Sequence, residues 1–126
     1  MKEYKQLLLY SGICMSVIFI RGFLRCAYNM NDFLLLKINI GDLDGWSVTH
    51  ILYNLLLGYR FPNLFTEIML LGIMWELLET LFGYFPGIFD CKVTTDEDDW
   101  WFGRVSDIIM NFIGASIGYS LKTYII

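Results

Sequence analysis

The chain has 126 residues, of which 56% are hydrophobic, 17% aromatic and 17% charged, with a formal net charge of −4 and a mean hydropathy of +0.52. Soluble domains carry nearer a quarter of charged residues, so lipid is the expected solvent, and the length has room for three or four spans and no second domain. The negative balance excludes a nucleic-acid binder, which needs a basic footprint. No CxxC pair, Walker loop or GxGxxG run is present, and the three cysteines (Cys14, Cys26, Cys91) are odd in number and scattered, which speaks against a disulfide framework.

The first predicted span covers residues 7–28. Its fully apolar part ends at Ile20, before Arg21. A hydrocarbon core of ~30 Å takes roughly 20 helical residues, so Arg21 and Arg25 are expected near an interface or against protein. Lys2 and Lys5 ahead of the apolar run mimic a secretion signal, but no small-residue cleavage site stands out and further spans follow. The segment reads as a retained helix. Next comes a mixed stretch with turn signals at Asn31-Asp32 and Gly41-Asp42. Its apolar portion, 33–40, is either a surface helix or a connecting strand.

The second span, 46–60, is short enough to require tilt or local thinning of the bilayer. Arg60-Phe61-Pro62-Asn63 breaks the chain, because proline ends one helix and suits the first turn of the next. The third span, 64–82, is the most apolar. A loop follows, with glycines, a proline, the acidic run Asp96-Glu97-Asp98-Asp99, and Trp100-Trp101 as an interface anchor. The fourth span is 105–126. The expectation is an all-α, polytopic helical membrane bundle of three to four transmembrane helices in a single domain, 1–126, with both termini on one side. Basic residues near the spans divide as Lys2, Lys5, Arg60 and Lys122 against Arg21, Arg25, Lys37, Lys92 and Arg104. That split gives no orientation by the positive-inside rule. Acids gather on the side of the first and third loops, which marks the polar entrance.

Ionisable groups at membrane depth are costly unless paired or wet, and so mark function. Glu76 and Glu79, three residues apart, lie about 60° from each other and share one helix face. Glu67 points away from them and reads as a helix-start charge. His50 and Asn54 share a face of the second span; Asp107 and Asn111 share one on the fourth, extended by Arg104, Gly114 and Gly118. Gly-xxx-Gly permits close helix approach, so the three polar faces are expected to converge, and the glycine face is also a candidate oligomer contact. Glutamates with one or two aspartates form a hard oxygen cage for Ca²⁺, Mg²⁺ or Mn²⁺. A histidine beside them is suited to proton transfer near neutrality. That set is the minimum equipment for phosphodiester chemistry. Arg21 and Arg25, four residues apart, either hold a lipid phosphate or snorkel to head groups.

The order His50, Trp75-Glu76-x-x-Glu79, Asp90-Cys91, Trp100-Trp101, then Asp107 and Asn111 with Gly114 and Gly118 resembles the core of the base-exchange phosphatidylserine synthases. The likeness covers about residues 46–119. More loosely, the W-E-x-x-E and D-x-x-x-N-x-x-G helices are similar to those of small bacterial membrane families. The synthase family departs from this chain in having no insertion between the Asp-Cys and Trp-Trp pairs, and an aspartate where Phe102 stands. The resemblance implies exchange of a phospholipid head group for serine with the help of a divalent cation, Ca²⁺. By the resemblance His50 would be the base or phosphate-attacking group, and Glu76, Glu79, Asp90 and Asp107 the metal or substrate ligands. From their own helix faces, His50, Glu76 and Glu79 are the expected catalytic residues, and Asn54, Asn111, Arg21 and Arg25 the expected substrate contacts. The alternative is a non-catalytic multi-span protein, an ion- or substrate-binding module or an assembly factor, in which the same cluster binds an ion or bridges helices.

Overall fold

In the computed structural model, residues 1–28, 43–83 and 104–125 are described, and their helices follow the apolar runs of the sequence. The 33–40 stretch, Asp90-Cys91, the acidic run and Trp100-Trp101 lie outside them. Helix α1 is Lys2–Tyr28, with Glu3 in its first turn and Arg25 in its last, charges that suit the two ends of the helix dipole. Helix α2, Gly45–Arg60, starts at a capping box: Asp44 accepts a hydrogen bond from the Ser47 N–H, and the Ser47 side chain closes back on the Asp44 backbone. It stops at Phe61, whose N–H still reaches Leu57 O at 2.8 Å, before Pro62 begins a single 3₁₀ turn, Pro62–Leu64. Helix α3 is Phe65–Gly83. Helix α4, Val105–Ser120, runs on into a π-helical turn, Leu121–Ile125.

Side-chain contacts fix the directions. Tyr4 donates to Glu67, Arg60 donates to Gln6, and Phe19 meets Trp75 and Phe82 edge-on. Helix α1 therefore runs antiparallel to α2 and parallel to α3. His50 lies against Asp107 and Asn111, while Gly118 lies against Leu55 and Tyr59, so α2 and α4 run parallel. The four helices alternate in direction, and the starts of α1 and α3 share one end of the bundle with the finishes of α2 and α4. The glutamate at the start of α3, Glu67, is the acceptor for Tyr4, as a helix-start charge should be.

Helices α2 and α4 make the closest pair. A Cβ at Gly58 would overlap the Ala115 carbonyl, one at Gly114 the Ile51 carbonyl, and one at Gly118 the Leu55 carbonyl. Only glycine lets these backbones meet. The Gly114/Gly118 face, expected as an oligomer contact, is thus filled by α2 of the same chain, which corrects that expectation. Below this contact Leu7, Leu57, Phe61, Leu64, Ile68 and Ala115 form an apolar core at the end of the bundle that carries the termini.

Among the described residues one helix, α1 over Lys2–Arg25, is long and apolar enough to cross a membrane. Helices α2 and α4 have 16 residues each, about 24 Å at 1.5 Å per residue, and α3 carries three glutamates. Exposed apolar side chains nonetheless occur on every described helix: Leu9, Ile13 and Val17 on α1, Leu52 on α2, Leu70 and Leu77 on α3 and Phe112 on α4. The interior holds Ser47, Asn54, Glu76, Asp107 and Asn111.

Candidate metal centre

The polar interior collects at the end of the bundle away from the termini, where α2 and α4 begin and α3 draws to its close. His50 sits in the second turn of α2, opposite the first two turns of α4. Its Nδ1 is 2.8 Å from Asn111 Oδ1, and Asn54 donates to the same oxygen at 2.6 Å and to the His50 carbonyl at 2.9 Å. The assignment that satisfies all three side chains makes Asn111 Oδ1 a double acceptor. Nδ1 then carries the ring proton and Nε2 keeps its lone pair. That lone pair is on the side of Asp107, whose Oδ2 is 4.0 Å from Nε2.

Glu76 completes the group from α3. Its Oε2 accepts the backbone N–H of Arg104, the residue that caps α4, at 3.0 Å, and its Oε1 lies 3.8 Å from His50 Nδ1. Asp107, in the first turn of α4, shares the positive end of the same helix dipole. At the rim Arg104 pairs with Asp44 at 3.2 Å. One donor atom each from His50, Glu76 and Asp107 falls within 4.8 Å of the others, so these three can hold a metal ion.

Two features of the carboxylates fit such an ion. Glu76 and Asp107 are only 4% and 7% exposed, yet Glu76 Oε1 and Asp107 Oδ1 have no hydrogen-bond partner. Buried acceptors are nearly always satisfied, and one that is not calls for a reason such as a bound ion. Burying like charges together is also costly unless an opposite charge intervenes. The carboxylates of Asp44, Glu76, Glu79 and Asp107 share this region, where Arg104 is the guanidinium paired with Asp44.

The sequence expectation of convergence is met by His50, Glu76, Asp107, Asn54 and Asn111. Glu79, expected as a ligand, is not one of the three; it stands one turn further along α3 and lines a cavity with His50 and Asn111. Arg21 lies over the Trp46 ring, 5.7 Å from its centroid. Arg25 is buried on the inner face of α1 rather than extended toward a head-group layer. Asp90 falls outside the described residues. Sequence reasoning missed Asp44 and Ser47, which shape the start of α2 beside Asp107; the signal was the Asp-x-x-Ser spacing of a capping box. No family model, curated protein or solved structure matches this chain.

Proposed function

We propose that this chain is a multi-pass membrane protein that binds a divalent cation at His50, Glu76 and Asp107 and acts there on the phosphate of a phospholipid head group, as a phosphatidylserine synthase-like transferase. The observation that carries the reading is the convergence of His50 with two buried carboxylates, each of which has an unpartnered oxygen. Exposed apolar side chains on every described helix, around a polar interior, support more than one crossing. A cation in this place would neutralise the phosphate oxygens.

The chain's own groups supply the rest. Asn111 holds the imidazole in one orientation. Glu79, on the cavity wall, would give its proton to the departing head-group oxygen and regain one from the incoming hydroxyl as that oxygen bonds to phosphorus. The resemblance implies Ca²⁺, which takes six to eight oxygen ligands. An imidazole with two carboxylates favours Mn²⁺ or Zn²⁺ instead, and our reading commits to an ion of that class.

The test is transfer of labelled serine into phospholipid vesicles by purified protein with Mn²⁺, Zn²⁺ or Ca²⁺ against chelator. Incorporation with metal, lost in His50→Ala and Glu76→Gln, is the expected result. Metal binding without any transfer would leave the alternative, a non-catalytic ion-binding module. That alternative draws its support from the Asn54–Asn111–His50 hydrogen bonds, which tie α2 to α4 without any substrate.

A further inference from the structure

Between α1 and the other three helices lies a cavity of about 150 Å³. Helix α1 keeps its backbone further from its neighbours than α2 and α4 keep from each other, and the gap is bordered by side chains rather than closed. Along α2 the lining runs from Trp46 to Leu57, and along α3 from Ile68 to Glu79. Eleven residues of helix cover about 16 Å, roughly half of a ~30 Å hydrocarbon core. The volume itself encloses only a short segment of hydrocarbon, about the size of a benzene guest, so most of a lipid chain lying beside these walls would extend beyond it.

Apolar and polar side chains share its walls. Trp75, Leu71, Ile68, Leu57, Ile18 and Met15 supply apolar walls, and the lower end abuts the core around Phe61. The polar lining groups His50, Asn54, Asn111 and Glu79 gather at the end that meets the metal centre, with Ser11, Thr49 and Tyr53 as the other polar residues. Apolar cavities of roughly this size accept hydrocarbon guests; here Met15, Ile18, Leu57, Ile68, Leu71 and Trp75 offer such walls, while the buried Tyr53 hydroxyl and Ser11 offer polar groups among them.

We infer that this cavity seats a short segment of a hydrocarbon chain of an amphiphile whose polar group lies at the His50–Glu76–Asp107 centre. The inference rests on the proposed head-group chemistry and names its substrate class: a lipid gripped by its tail as well as its phosphate. The tail enters between α1 and the α2–α3 pair, and α1 acts as the wall that retains it.

The experiment uses purified full-length protein in nanodiscs containing phosphatidylethanolamine with a photoactivatable group in one acyl chain, and a parallel sample with the equivalent free fatty acid. Adducts are mapped by mass spectrometry. Enrichment of phospholipid adducts on Met15, Leu71 and Trp75 over the outward Ile13, Val17 and Leu77 is expected. Cys14→Trp, which overpacks the cavity, should cut the inner adducts about tenfold, equivalent to about 1.4 kcal/mol. Leu71→Ala, which widens it, should raise them, so a misfolded tryptophan variant does not leave the matter open. Equal labelling of inner and outer faces, unmoved by either variant, overturns the inference, as does labelling of the inner face by the fatty acid alone. Mn²⁺ binding measured on the same samples keeps the two claims apart: bound Mn²⁺ with unlabelled walls removes the tail site and leaves the metal centre standing.

Discussion

His50 Nδ1 and Asn111 Oδ1 meet at 2.8 Å across the α2–α4 seam, and this one contact decides which imidazole nitrogen is free. A ligating histidine usually gives its other N–H to a fixed acceptor, and loss of that acceptor typically costs about 10–100-fold in metal affinity. Asn111→Leu should therefore weaken Mn²⁺ binding by about that factor. Asn111→Asp, which keeps an oxygen at the same place, should retain most of it. Calorimetric titration of the two variants checks the difference; equal loss would mean that Asn111 matters for packing alone.

Glu76→Gln and Asp107→Asn should each lower Mn²⁺ affinity at least about tenfold, a change of about 1.4 kcal/mol, while the protein remains folded. In the Glu76→Gln variant the side-chain amide oxygen can still accept the Arg104 N–H that Glu76 Oε2 now accepts. Each substitution also removes one of the like charges buried together, so thermal stability without metal should hold or rise. A fall of Tm in both variants without metal would point to a structural network instead.

Gly114→Ala and Gly118→Ala place a Cβ against the backbone of α2. Backbone cannot rotate aside as a long side chain can, so the seam must open, at a cost of about 1–3 kcal/mol each. Thermal unfolding in detergent should show both variants less stable. Because the same seam aligns His50 with Asp107, Mn²⁺ binding should weaken with it.

Phe61→Ala tests the opposite end. Phe61 is fully buried among Leu7, Leu57, Leu64 and Ile68, far from the cluster. Truncation of a core phenylalanine costs about 3–5 kcal/mol through lost transfer energy and the cavity left behind. The variant should melt earlier yet bind Mn²⁺ with wild-type affinity at a temperature where it is folded.

Helix positions were legible in the sequence because apolar runs and their breakers act locally. Pro62 separates α2 from α3 through contacts within four residues; the Asp44–Ser47 box acts as locally at the start of α2 but went unread. The faces carrying His50, Asn54, Glu76, Asp107 and Asn111 were legible through helical spacing alone. What spacing cannot give is depth and partner. Glu79 has the same periodic claim to the centre as Glu76, yet the extra turn carries it onto the cavity wall. Gly114 and Gly118 announce a close contact without saying whether the partner helix belongs to the same chain. Arg25 has the length to reach an interface, but its place on the inward stripe of α1, with Leu7 and Ser11, buries it.

The most direct measurement is Mn²⁺ electron paramagnetic resonance on the purified full chain, titrated to saturation beside the Glu76→Gln/Asp107→Asn double variant. One tightly bound ion per wild-type chain, and none in the double variant at the same concentrations, is the result expected from donors converging at the head of α2 and α4. Free-ion spectra from both proteins, or identical binding by both, would contradict a metal centre in this place.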